Sequence, residues 1–195
     1  MSANAAVAAE RLAGNFGAAE VPHTRARWFL VRVPEGREAA TCERVRSCVP
    51  NGLVEDAFVA RKERWFKRGG TWRLEPVRMH EGYIVAASRD GRALARELSR
   101  LSFPVEMAGA PGTDPAPMPA EAQSWLEAAM DANRVLRNST AVIEGGQLHV
   151  QSGPLVGQEP RVLKVDRHHR CCTVRVGGPN SGFCELLPME VPNKS

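Results

Sequence analysis

Residues 146–176, GGQLHVQSGPLVGQEPRVLKVDRHHRCCTVRV, constrain the fold of this chain most strongly. Apolar and polar residues alternate on both sides of a glycine-proline break: Leu148 and Val150 before it, Val162, Leu163 and Val165 after it. A turn through Asp166-Arg167-His168-His169-Arg170 then leads into Cys172, Val174 and Val176. A period of two belongs to half-buried strands, whose successive side chains face opposite sides. Gly157 fits a turn position with positive φ, and Pro154 a strand border where no ladder N–H is required. Two short strands joined by a basic tip suit a small barrel that offers the tip to an anionic partner.

The spacing of Gly146, Leu148, Val150, Gly153, Pro154, Leu155 and Gly157 resembles a KOW motif. Ribosomal proteins and transcription elongation factors both carry that motif, so the remainder of the chain must choose between them.

The 195 residues, 43% hydrophobic, suffice for one or two small cores. A net charge of +4 favours an anionic partner only mildly, and an ordinary soluble basic protein reads equally well. Five cysteines without a CxxC give neither a disulfide framework nor a zinc-finger spacing. They read as reduced thiols of a cytoplasmic protein. No apolar run approaches the roughly 20 residues of a membrane span, and the alanine-rich start lacks the basic segment of a signal peptide.

Residues 1–26 read as a disordered extension with a short helix near 4–12. From Arg27 onward the pattern changes. A strand (28–33), a helix (37–48) and a second strand (54–60) come first. A hairpin follows around Gly69-Gly70, then a strand (82–86), a helix (90–101) and a short edge strand (104–107). This order implies an α+β fold, with helices packed on an antiparallel sheet. Residues 110–119 form a proline-rich linker, and Trp125, Leu126 and Met130 place a helix over 120–134. That helix either docks on a domain or spans solvent. The resulting division is 1–26, 27–109, 110–139 and 140–195.

Three further segments resemble the NusG family: Trp28-Phe29-Leu30-Val31-Arg32 with Pro34-Glu35-Gly36-Arg37-Glu38 behind it, Ala57-Phe58-Val59-Ala60-Arg61-Lys62-Glu63, and Glu81-Gly82-Tyr83-Ile84-Val85. With the KOW stretch they cover 27–110 and 140–192. The resemblance implies a NusG-type amino-terminal domain, a linker helix and a small all-β, SH3-like KOW barrel. It also implies a monomeric partner of RNA polymerase, bound through the clamp helices of the large catalytic subunit. Arg32, His80, Tyr83 and Phe58 occupy positions that the resemblance assigns to the polymerase-binding depression. Tyr83 keeps the family's aromatic character, while Arg32, His80 and Glu81 depart from the family pattern. Trp28, Phe29 and Phe58 read first as core.

The segment 61–78 holds seven cations against Glu63 and Glu75. By the resemblance, its Lys62, Arg64, Lys67 and Arg68 would face upstream or non-template DNA; a solvated loop is the plain alternative. The turn with Arg167, His168, His169 and Arg170, together with Lys164 and Arg161, clusters cations at one barrel end. Guanidinium groups grip phosphates and guanine edges, and histidines stack on exposed bases. Within the family, Ser152-Gly153-Pro154-Leu155-x-Gly157-x-Glu159 and the following basic turn are similar to the LoaP group, whose members promote processive antitermination and read an RNA hairpin. The alternatives are a housekeeping NusG-like factor whose barrel contacts ribosomal protein S10 or a termination factor, and a ribosome-associated KOW protein. No catalytic triad, paired carboxylates, phosphate loop or metal-ligand spacing is legible, so neither an enzyme nor a cofactor is expected.

Overall fold

The computed structural model describes residues 25–109 and 113–192. The expected extension with its helix near 4–12 lies outside these residues, apart from Arg25 and Ala26, as do linker positions 110–112. In chain order the strands are β1 Arg27–Arg32, β2 Asp56–Phe58, β3 Arg61–Arg68, β4 Thr71–Arg78, β5 Tyr83–Ser88 and β6 Glu106–Met107. They continue with β7 Val135–Leu136, β8 Ser139–Glu144, β9 Gln147–Ser152, β10 Val162–Asp166, β11 Cys171–Val176 and β12 Phe183–Glu190. The helices are α1 Glu38–Cys48, α2 Gly91–Ser99 and α3 Ala120–Ala129. The fold is α+β, as expected.

The chain divides into two compact units, and the division is not sequential. One holds the described residues up to Ala60 together with Met79–Gln123; the other holds Arg61–Arg78 and the residues from Ser124 onward. The basic hairpin, which the linear reading placed inside the amino-terminal domain, folds with the carboxy-terminal residues.

The first unit is a four-stranded sheet in the order β2-β5-β1-β6. Strict alternation along β1 and β5 sends Phe29, Val31, Ile84 and Ala86 into a core shared with Cys42 and Val45 of α1 and with Leu94 and Leu98 of α2. Asp90 starts α2 by accepting the Ala93 N–H at 2.8 Å, the usual service of an N-cap carboxylate. Glu38, buried in α1, accepts the Gly82 N–H at 2.9 Å. The free edge of β1 is covered in turn by β6, by Ala108 N–H donating to Leu30 (2.9 Å) and by Met118 N–H donating to Trp28 (2.7 Å). The Gln123 amide completes the edge, accepting from Trp28 N–H at 3.1 Å and donating to the Ala26 carbonyl at 3.0 Å. An edge strand covered this way cannot recruit a foreign strand. The end of the proline-rich segment is therefore docked rather than free.

The helix expected over 120–134 stops at Ala129. The Asp131 carboxylate captures the N–H groups of Asn133 and Val135, both at 2.9 Å, and Arg134 turns to φ +59°. A short carboxylate that bonds nearby backbone offers the chain an alternative to the helical ladder, and here it wins.

The second unit contains a five-stranded sheet, β10-β11-β12-β8-β9, and a three-stranded one, β4-β3-β7. The β3–β4 hairpin pairs all eight residues of each strand across Gly69 (φ +55°) and Gly70 (φ +80°), the double positive φ of a tight two-residue turn. In the barrel, Cys172, Val174 and Val176 of β11 and Phe183, Leu187 and Met189 of β12 point inward. Leu155, fully buried, inserts from the loop after β9, and its N–H reaches Ser139 Oγ at 3.3 Å. Gly157 has the expected positive φ, +70°.

Candidate nucleic-acid interface

The β10–β11 turn is built on Asp166. Its carboxylate accepts the His169 N–H at 3.0 Å and meets His169 Nδ1 at 2.8 Å. These bonds, the backbone one first, hold the Asp166 carboxyl below the ordinary aspartate value. A depressed carboxyl contributes order that is fully present above its unfolded pKa and is lost as pH falls through the lower, folded one. The turn is therefore expected to stay pinned at neutral pH and to loosen only in acid below the ordinary aspartate range. The His169 amide resonance followed in an acid titration checks this; an unchanged shift down to full protonation of the carboxylate would overturn it.

From the pinned turn Lys164, Arg167 and His168 project into solvent, with the His168 ring edge-on to His169 at 4.9 Å. Among the described residues Lys164 and Arg167 make no ion pair. The other two predicted RNA contacts are engaged in the fold. Arg161 donates to the Gly177 carbonyl at 3.0 Å and to Gln158 Oε1 at 2.9 Å, and lies 6.0 Å over the Trp125 ring. Arg170, at φ +51°, packs its guanidinium against Trp65 (4.8 Å) and Trp72 (5.0 Å) and donates to Glu190 Oε1 at 2.6 Å. Desolvated stacking of this kind is worth on the order of 1–2 kcal/mol and fastens the hairpin to the barrel.

The predicted DNA-facing cations also separate. Lys62 is not on the surface: its ammonium lies 2.5 Å from Glu185, with the two side chains 14% and 7% exposed, and also donates to the Leu186 carbonyl at 2.9 Å. Arg64, Lys67 and Arg68 are exposed. Arg64 and Arg68 flank the half-buried Phe66 ring at 5.3 and 5.6 Å, and Lys67 lies 5.9 Å over Trp72. Trp65 Nε1 donates to Asn138 Oδ1 at 3.0 Å, and Glu63 accepts from Asn138 N–H and from Arg137. Linear reading missed the Lys62–Glu185 pair and the tryptophan clasp. One signal was available: Glu185 falls at an inward position of β12, between Phe183 and Leu187, where a charge needs a buried partner.

In the first unit, Arg32 lies opposite Tyr83 and Phe58 opposite Val85. By strand alternation these residues share the sheet face that points away from the helices, together with Trp28 and Leu30. Arg32 is exposed and Tyr83 half-buried; Phe58 is buried edge-on against Trp28 at 5.0 Å. His80 is buried.

All five cysteines are free, and burial pushes the Cys42 thiol up to about 11 and that of Cys172 up to about 12, which makes them unreactive. Among the described residues no group of three metal-ligating side chains converges, and no helix is long and apolar enough to cross a membrane.

No family model matches the chain, and no curated protein matches it. Among solved structures it is similar to one described as "Domain interaction in Thermotoga maritima NusG", with a TM-score of 0.42 and 13% identity, over 84% of this chain and 94% of that one.

Proposed function

We propose that this protein is a non-catalytic transcription elongation factor of the NusG type, specialised as a processive antiterminator. Its first unit binds the clamp helices of RNA polymerase through the sheet face carrying Arg32 and Tyr83. Its barrel reads an RNA hairpin in the nascent transcript. The observation that carries the RNA half is the pinned turn, where Lys164 and Arg167 stand in solvent with no carboxylate partner among the described residues while the other turn cation, Arg170, is consumed in packing. Unpaired cations on a rigid tip attract phosphate, and a guanidinium also reads a guanine edge. The sequence resemblance to the LoaP group supports the antitermination role.

A second reading rests on one observation: Leu163 and Leu186 are 46% and 49% exposed on the barrel. Exposed apolar side chains suit a protein partner such as ribosomal protein S10, and so a housekeeping elongation factor.

The discriminating measurement is salt-resolved binding of the full chain to a leader hairpin RNA and to a scrambled RNA. The full chain is needed because Glu185 and Arg170 take partners from Arg61–Arg78. The hairpin is expected to win by about tenfold, roughly 1.4 kcal/mol. Arg167→Ala is expected to erase most of that margin and to lower the salt slope by about 1. Equal, weak binding of both RNAs would remove the RNA-reading role and leave the housekeeping alternative.

A further inference from the structure

By the family resemblance the hairpin cations would face DNA, with a solvated loop as the alternative, and those of the β10–β11 turn RNA. The fold places both sets in one unit. Lys164 is in register with Thr173, and Thr173 with Leu186, so the three side chains share the outer face of the barrel sheet. The Leu186 carbonyl then accepts from Lys62 at the base of β3. Alternation along β3 puts Arg64, Phe66 and Arg68 on the Lys62 side, with Arg73 directly across from Phe66. At about 4.8 Å between neighbouring strands, the path from Lys164 across β11 to β12 is about 10 Å, and the Lys62 side chain bridges from β12 to β3. Arg64 and Lys164 both act electrostatically on the Cys171 thiol, the one from the hairpin side and the other from β10.

The pairing pattern sorts these cations. Those with structural work are neutralised: Lys62 by Glu185, Arg137 by Glu63 and Asp131, Arg170 by Glu190. Among the described residues Arg64, Arg73, Lys164 and Arg167 have no ion pair and are exposed. Glu75 lies across from Arg64 on the same face and pairs with Arg68 at 3.5 Å, but the cations outnumber it there, and an anionic polymer laid along them relieves their repulsion. Phe66 lies among three arginines on that face, the pairing of ring and guanidinium on which unpaired bases stack.

We infer that the hairpin and the β10–β11 turn form one continuous RNA-binding strip, in which Arg64, Arg73, Lys164 and Arg167 grip phosphates of a single RNA and Phe66 stacks under an unpaired base. This deepens the proposed function and rests on its assignment of RNA to the second unit. It moves the hairpin from DNA to RNA.

The test uses the full chain with a hairpin RNA carrying an unpaired loop, a scrambled RNA and a DNA of the hairpin's sequence, each titrated over a range of salt. The variants are Arg64→Ala/Arg73→Ala, Phe66→Leu and Arg167→Ala, each checked by circular dichroism for retained fold. Arg64→Ala/Arg73→Ala is expected to weaken RNA binding about tenfold and to lower the salt slope by about 1.4–1.8, two phosphate contacts at about 0.7–0.9 each. Phe66→Leu is expected to weaken it about fivefold at an unchanged slope, the mark of a stacking contact. If Arg167→Ala weakens RNA binding while the hairpin variants leave affinity and slope alone, or weaken only DNA binding, the strip is overturned and the proposed function stands. If wild type fails to separate hairpin from scrambled RNA but both variant sets weaken the two alike, the strip stands and the RNA-reading function falls. If wild type binds no RNA, both fall.

Discussion

Replacing Lys62 by methionine is expected to lower the stability of the second unit by about 3–5 kcal/mol, a large share of what holds a small domain together. The Lys62 ammonium and the Glu185 carboxylate are removed from most of their water, at 14% and 7% exposure, and they pair with each other, while Leu186 N–H also reaches Glu185 Oε1 at 3.2 Å. Methionine keeps the stem of the side chain but removes the cation from a carboxylate buried between Phe183 and Leu187 on the inner face of β12. The double variant Lys62→Met/Glu185→Leu removes both charges and is expected to recover most of the loss, because a buried pair replaced by apolar side chains of similar size is often close to neutral. Urea unfolding, with amide exchange of β12 identifying the unit that opens, reads both. A single variant within about 1 kcal/mol of wild type would show that water reaches the pair.

Gly153→Ala is the second large effect. Gly153 sits at φ +91°, and a Cβ there would lie 2.4 Å from the Asn138 carbonyl oxygen and 2.7 Å from Ser139 Cα. Both are backbone atoms of the strand entry, so no side chain can swing aside. The positive φ costs about 1–2 kcal/mol, and forcing the loop off Ser139 adds about 1–3 kcal/mol. The damage spreads, because Ser139 Oγ holds the N–H of the buried Leu155 and Asn138 holds Trp65 of the hairpin. Gly157→Ala provides the control: φ is +70°, but nothing lies within 4 Å of the new methyl, so only the conformational cost applies. Thermal unfolding should place Gly153→Ala below Gly157→Ala by about 2 kcal/mol; equal midpoints would mean that the loop can shift as a body.

Residue alternation made most elements legible. Phe29 and Val31 against Ile84 and Ala86, and Cys172, Val174 and Val176 in the barrel, announced their strands because a half-buried sheet imposes a period of two. The turn cations were legible as a cluster for the same reason, since their strands were. What remained hidden was which cations are spent inside the fold. Lys62, Arg64 and Arg68 look alike in a basic run, yet one closes on a carboxylate 123 residues away and the others face solvent. Arg170 reads as a fingertip beside Arg167 until Trp65 and Trp72 arrive from a hairpin about a hundred positions earlier. Local pattern carries no information on such distant pairings. The helix over-run past Ala129 was local and was missed for another reason: periodicity reports apolar spacing and is blind to Asp131 competing for the backbone.

The chain leaves the first unit at Ala60, builds the hairpin and returns at Met79, whose N–H bonds the Ala60 carbonyl at 2.8 Å. On the ribosome this has a temporal side. Lys62 emerges 123 residues before Glu185. At ~5–20 residues per second, that leaves the hairpin unclasped for about 6–25 s of synthesis. Throughout that interval the nascent chain carries two tryptophans and a cluster of arginines with no barrel to receive them. The second unit can close only once β12 has been made, so any truncation that removes β12 leaves the early hairpin as well as the late barrel without a fold.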